Sequence, residues 1–125
     1  MRRGLMLLLF LGVTGCSRSV GKAEMPGVYE FRIDNIRQQI TVRSDGTYAN
    51  VFYRGNVLVW SDHGAWTYED HQGNEGILFA KFRFGIPEHS ALRGFWFVVP
   101  GKTIAGDKEL CFDPDLNQCF RQDGK

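Results

Sequence analysis

From residue 28 onward, apolar and polar residues alternate with a period of two. In Val28-Tyr29-Glu30-Phe31-Arg32-Ile33-Asp34, Tyr29, Phe31 and Ile33 fall on one side and Glu30, Arg32 and Asp34 on the other. That alternation is the mark of a strand with one buried face. Residues 39–44 repeat it with Ile40 and Val42 inward, and Asp45-Gly46 supplies a hairpin turn whose glycine accepts positive φ. Residues 47–54 form the return strand, and Gly55-Asn56 makes the next turn. Residues 57–61 and 65–69 form the middle of the chain, with a bulge or tight corner expected near Asp62-His63-Gly64. Residues 71–76 are polar and loop-like. Leu78, Ala80, Phe82, Phe84 and Ile86 then alternate with Phe79, Lys81 and Arg83, a long strand that Pro87 ends. Residues 87–94 have room for a single helical turn. Residues 95–99 are apolar on both faces, as in a central strand, and residues 109–112 pair with 119–122.

These are about eight short strands with turn signals every eight to twelve residues and no helix of normal length, which predicts an all-β fold. A meander of this kind most economically closes into a small antiparallel β-barrel, because closure removes exposed strand edges.

The first residues follow another logic. Arg2 and Arg3 precede an apolar run from Leu5 to Val13. A run of roughly ten residues is too short to span a bilayer, which takes about 20, and fits a cleavable secretory signal instead. It ends Val13-Thr14-Gly15-Cys16, which resembles the bacterial lipobox: an aliphatic residue, two small residues and a cysteine. That resemblance implies cleavage after residue 15 and lipidation of Cys16. The competing reading is an ordinary signal peptide with a cysteine there by chance. Two or more acyl chains anchor a protein stably where one does not. Ser17, where an Asp would resemble an inner-membrane retention signal, favours the outer membrane, facing the periplasm, in a Gram-negative cell. The domain organisation expected is residues 1–15 as signal peptide, 16–26 as lipidated Cys and flexible tether, and 27–125 as the barrel. A tether over residues 17–25 would reach about 30 Å fully extended, enough for the domain to stand off the membrane.

Removing residues 1–15 leaves 110 residues, one domain's worth, with a formal charge of −1. A near-neutral domain without a basic stretch argues against nucleic-acid binding. Nine of the ten Phe lie beyond Cys16 and supply core and strand material. With Cys16 lipidated, Cys111 and Cys119 remain as an even pair in an oxidising compartment. Their spacing reads as a structural disulfide across a C-terminal hairpin, worth roughly 2.6 kcal/mol on the loop-entropy estimate. Free thiols or a redox pair are the alternatives, and a C-x-x-C spacing would have favoured the second.

Candidate chemistry is sparse. Ser61-Asp62-His63 has the letters of a hydrolase triad, but on a strand Asp62 points away from His63 and cannot orient it. His63, His71 and His89 with Asp62, Asp70 and Glu88 lack any metal-ligand spacing. Asp113-Pro114-Asp115-Leu116-Asn117 has the oxygen spacing of a calcium loop, yet Gln118 stands where glycine is needed and Gly124 where glutamate is. An Asp-Pro turn inside the disulfide hairpin explains the same residues. Trp60, Trp66, Trp96, Tyr48, Tyr53 and Tyr68 are candidates to line a cavity or binding face, although so small a domain needs most of its aromatics as core. No cofactor and no catalytic set is expected.

Gly27-Val28-Tyr29-Glu30-Phe31, Asp45-Gly46-Thr47-Tyr48 and Gly64-Ala65-Trp66 together resemble small lipocalin-like barrels of bacterial lipoproteins. The resemblance implies a lipocalin-like architecture. True lipocalins carry G-x-W on the first strand, where this chain has G-x-Y, so no ligand is implied. The expected function is a lipid-anchored, non-enzymatic binding module for an envelope protein: an inhibitor, an immunity factor or an accessory subunit. Its contact surface is expected at the Cys111–Cys119 hairpin with Asp113 and Asp115, at loops bearing His63 and His71, and at Trp60, Trp66 and Trp96. The alternative is a lipocalin-like carrier of a small apolar molecule. Labelled palmitate should enter the wild-type chain and be absent from Cys16→Ala; equal labelling of the two would defeat the lipobox assignment.

Overall fold

The computed structural model describes residues 20–85 and 93–122. After a 3-10 turn at Lys22–Glu24 come nine strands: β1 Gly27–Ile33, β2 Ile36–Val42, β3 Thr47–Arg54, β4 Val57–His71, β5 Asn74–Arg83, β6 Arg93–Val98, β7 Gly101–Lys102, β8 Lys108–Asp113 and β9 Gln118–Gln122. The chain is all-β, as the alternating pattern predicts. The strands form one curled antiparallel sheet, a half-barrel in the order β6-β5-β4-β3-β2-β1-β9-β8-β7.

Among the described residues the hydrogen-bonded ladder does not close on itself, so the small antiparallel barrel expected takes the form of a half-barrel. β6 and β7 are its two ends, joined covalently through Val99 and Pro100. Side chains bridge the gap that backbone leaves. Trp96 of β6 lies 5.7 Å from Phe120 of β9, and Phe84 lies 5.6 Å from Phe112 of β8. Residues 95–99 are therefore an edge strand and its exit, not a central strand. Phe95 is 78% exposed, because it points to the convex side of the sheet while Trp96 points in.

A two-residue β7 raises the strand count to nine, while residues 57–61 and 65–69 belong to one continuous strand, β4. No break occurs at Asp62-His63-Gly64. The irregularities lie where Phe52 pairs Trp60 but Tyr53 pairs Leu58, and in β5 between Phe79 and Phe82. The second reverses the phase of β5. Lys81 takes a positive φ of 54°, so the inward residues are Ile77 and Phe79 before it and Phe82 after it. Leu78 and Ala80, expected inward, face out. An extra residue in one strand shifts every later side chain to the other face. The segment expected to hold a helical turn lies, for residues 86–92, outside the described residues, and residues 71–76 are not a loop but the tip and start of the β4–β5 hairpin.

Inside, Tyr29, Phe31, Ile40, Val42, Tyr48 and Phe79 are buried along with Phe82, Leu110 and Phe120. Rings from opposite sides of the curl meet: Phe82 of β5 is 6.3 Å from Phe120 of β9, and Phe84, just past β5, is 5.6 Å from Phe112 of β8. Aromatic pairs of this kind contribute about 0.5–1.5 kcal/mol beyond the area they bury.

The segment ahead of β1 is also core. Val20 and Met25 are 1% and 0% exposed. The Tyr29 hydroxyl donates to the Met25 carbonyl at 2.7 Å, and the Tyr68 hydroxyl donates to the carbonyl of Val20. Residues 20–26 are thus a strap across one end of the sheet, and the expected tether is corrected to end before Val20. Met25→Ala should lower unfolding free energy by about 2–5 kcal/mol in urea titration, as buried Met→Ala changes do. A cost near zero would return this segment to a tether.

Candidate functional site

The two ends of the half-barrel are built differently. At the strap end, Ser44–Gly46 turns β2 into β3, and this turn sits on Trp66. The Trp66 amide donates to Gly46 O at 2.9 Å and its indole Nε1 donates to Arg43 O at 2.8 Å. Tyr48 crosses Gly64 and donates its hydroxyl to Ala80 O. A Cβ on Gly64 would come within 2.8 Å of the Tyr48 ring and 2.9 Å of Ala80 O, so glycine is what lets the tyrosine pass. The D-G-T-Y and G-x-W fragments are therefore one packing unit.

At the opposite end, two buried polar side chains clamp the exit of β5. Gln38 Nε2 donates to Asn50 Oδ1 at 2.8 Å and to Arg83 O at 2.9 Å. Asn50 Nδ2 donates to the same Arg83 carbonyl at 2.8 Å, and the Gly85 amide donates to Gln38 Oε1 at 2.8 Å. A Cβ on Gly85 would lie 2.2 Å from the Phe52 ring, which reserves that position for glycine. Every buried side-chain polar atom among the described residues is satisfied. Gln38 and Asn50 are not among the residues expected at a site from the sequence. Their signal was available: each lies in phase with inward residues, Gln38 with Ile40 and Val42, Asn50 with Tyr48 and Phe52.

Beside this clamp stands the β3–β4 ribbon. Its turn is tied to the β1–β2 turn by the Gly55 amide, which donates to Asn35 O at 2.6 Å. Val57, Leu58 and Val59 follow, exposed by 66%, 54% and 48%. Three consecutive apolar residues on a strand present both faces to solvent. Moreover, β5 pairs with β4 only over Trp66–His71, so the edge of Val57–Ala65 opposite β3 has no laddered strand among the described residues. Trp60 is stacked on Phe52 at 5.5 Å, with the Arg83 guanidinium 4.5 Å above its ring.

The expected contact residues are dispersed. Cys16 lies outside the described residues. Cys111 and Cys119 are bonded and directly paired across β8 and β9. Asp113 Oδ1 accepts from the Leu116 amide at 3.3 Å, and Asn117 N donates to Pro114 O at 3.1 Å, so the D-P-D-L-N segment is a turn that uses its first carboxylate internally. Asp115 is exposed. His63 and His71 are on strand β4 and not on loops, a correction that follows from its continuity. His71 Nε2 meets Glu69 at 2.8 Å and its ring packs 4.3 Å from Phe97; that hydrogen bond, helped by Thr67, holds Glu69 below the usual carboxylate range. Asp62 bonds Arg93 at 2.9 Å on the face opposite His63. Trp66 is 5% exposed, and Trp96 stacks on Phe79 at 5.5 Å within the core. Of the three tryptophans, Trp60 alone stands at an exposed edge.

A hollow of about 360 Å³ beside β1 and β9 is bordered by Glu30, Arg32 and Arg121, but Glu30 is paired with Arg32 at 3.0 Å and with Arg37 at 3.3 Å, and Arg121 with Glu109 at 3.1 Å. Glu109, Cys111 and Cys119 are the one group among the described residues whose metal-ligating atoms converge, within 4.8 Å. There the sulfurs are bonded to each other and Glu109 to Arg121. Compared with known proteins, the chain matches no family model, no curated sequence and no solved structure.

Burial pushes the Tyr29 hydroxyl far above the ordinary 10.0, and burial with a contribution from Asp62 does the same for Tyr48. Both phenols stay neutral in the fold while the unfolded chain ionises near pH 10.0. The unfolded state then binds fewer protons, so stability falls as pH rises through that range. Thermal midpoints should hold to about pH 9 and then drop, each tyrosine removing about 1.4 kcal/mol per pH unit above 10. A midpoint unchanged to pH 11 would contradict the burial of both phenols.

Proposed function

We propose that this chain is a lipid-anchored lipoprotein of the cell envelope, held through Cys16 in the outer membrane and facing the periplasm. Its domain is a non-enzymatic module that binds another envelope protein. The observation that carries this reading is the contrast between inside and outside. The interior is filled by rings that touch across the curl, such as Phe82 with Phe120 and Phe84 with Phe112. The outside carries, among the described residues, a strand edge at Val57–Ala65 with no laddered neighbour, and it begins with three exposed apolar residues.

An unpaired edge is a template for another strand: its main-chain groups supply affinity and its side chains specificity. Exposed apolar residues in a row are a recurrent mark of protein contact. A carrier of a small apolar molecule needs an enclosed cavity in the position that Phe79, Phe82 and Trp96 occupy, with neighbouring ring centroids 4.8–5.5 Å apart. The packed interior therefore favours the protein partner over the carrier.

The test is photo-crosslinking in intact cells. A photoreactive residue at Leu58 should yield a discrete protein adduct, and one at Thr67, where β5 lies alongside, should not. Changing Val57 and Val59 to Ser should reduce the Leu58 adduct at least fivefold while the thermal midpoint moves little, since both side chains are already exposed. No adduct at Leu58, or equal adducts at both positions, would refute the reading.

A further inference from the structure

The strap places the lipid anchor close to one particular end of the domain. Val20 is buried and its carbonyl receives the Tyr68 hydroxyl, so its position is set by the fold. Only Ser17, Arg18 and Ser19 stand between it and Cys16. Four residue steps of fully extended chain span at most about 14 Å. From Trp66, under the strap, to Val57 at the ribbon end is nine residues of strand, about 30 Å. The ribbon end therefore cannot be the end beside the anchor.

What surrounds the strap fits a lipid surface. Lys102 Nζ meets Glu24 at 3.4 Å and Lys108 Nζ donates to the Glu24 carbonyl, which fixes the β7–β8 turn next to the strap. That turn is closed by Gly106 N donating to Thr103 O at 2.9 Å, and Ile104 at its tip is fully exposed. On the other flank, Lys22, Ala23, Pro26, Ser44 and Trp66 border a largely apolar depression of about 440 Å³. The cations here, Lys22, Lys102 and Lys108, are offset by Glu24, Asp107 and the acids of the β4–β5 hairpin. The contact is thus apolar and set by chain length, with no requirement for anionic headgroups.

Resting on the lipid-anchored reading above, we infer that the strap end lies against the membrane surface, with Ile104 entering the headgroup layer and the β3–β4 ribbon directed away from it. The anchor is then a positioning device as well as an attachment. With only three residues of slack, the domain presents one end to the lipid and the other to the surrounding compartment.

Collisional quenching tests this on the lipidated protein, purified from membranes and reconstituted in phosphatidylcholine vesicles containing headgroup spin-labelled lipid. A fluorophore on Ala105→Cys, beside Ile104, is compared with one on Asn56→Cys at the ribbon turn, both labelled without reducing Cys111–Cys119. Quenching at residue 105 should exceed that at 56 at least fivefold. Inserting ten Gly/Ser residues after Ser19 should cut the residue-105 signal at least twofold. Equal quenching at the two positions, or a signal at 105 indifferent to the insertion, would overturn the orientation. Intact-mass measurement of the same preparation separates the two claims. A chain without acyl mass on Cys16 defeats the anchor and the orientation with it, whereas an acylated chain quenched equally at both positions defeats the orientation alone.

Discussion

The structure depends on closing a sheet whose two end strands do not hydrogen-bond to each other. β6 and β7 are consecutive in the chain and lie at opposite ends of the ladder, with Val99 and Pro100 as their only covalent link. Backbone alone would leave a curled sheet with a slot down one side. The slot is closed from within, by Trp96 and Phe84 meeting Phe120 and Phe112. This explains why rings of β5, β6, β8 and β9 meet one another on the concave side. Large rings reach across a gap that aliphatic side chains of the same strands would leave open, and at roughly 150–250 Å² of buried area each they dominate the core of so small a domain.

A solid interior sends function to the surface. Both ends of the half-barrel are covered by chain: the strap over one, the Arg83–Gly85 exit over the other, held by Gln38 and Asn50. The second cover is polar because the chain leaving β5 brings an unpaired carbonyl and amide into the interior, and each must find a partner there. Two amide side chains satisfy both and specify where the exit lies, which an apolar pair would not. With the interior filled and the ends covered, what stands out on the surface among the described residues is the edge of β4 that no described strand ladders and the exposed apolar residues that start it.

Much of the fold was legible because strand periodicity is a local signal. Tyr29, Phe31, Ile40 and Val42 are buried as their alternation predicts, the Asp45-Gly46 turn joins the strands expected, and Cys111 pairs with Cys119. What was missed has a common cause. Lys81 carries the bulge that reverses β5, and neither it nor Ala80 has the turn chemistry that marks such a residue. Val20 and Met25 are single apolar residues in a polar stretch, so no period flags them, and the strap's partner Tyr68 lies 48 residues from Val20, beyond any local reading. Phe95 misled in the other direction. Its run is apolar throughout, yet the topology leaves β6 at an edge, and strand order is a non-local property. At the candidate site, Trp60 and the ribbon were within reach of pattern reading, since Val57-Leu58-Val59 next to a Gly-Asn turn breaks the alternation that a half-buried strand requires.

The strap joins the fold to its surroundings. Were residues 17–25 a free tether, the anchor would say where the molecule is and nothing about which way it faces. Burying Val20 and Met25 removes most of that freedom, and the same two side chains complete the core at that end. The Glu24 carboxyl, held below the usual carboxylate range first by the Gly21 amide and then by Lys102, joins the strap to β7, and Lys108 on β8 binds its carbonyl. The strap is thus held by three separate parts of the sheet: β4 through Tyr68, β1 through Tyr29, and the β7–β8 hairpin through the two lysines. Pulling the strap away would uncover the core that Val20 and Met25 complete, so under the proposed anchor the orientation would last as long as the domain stays folded.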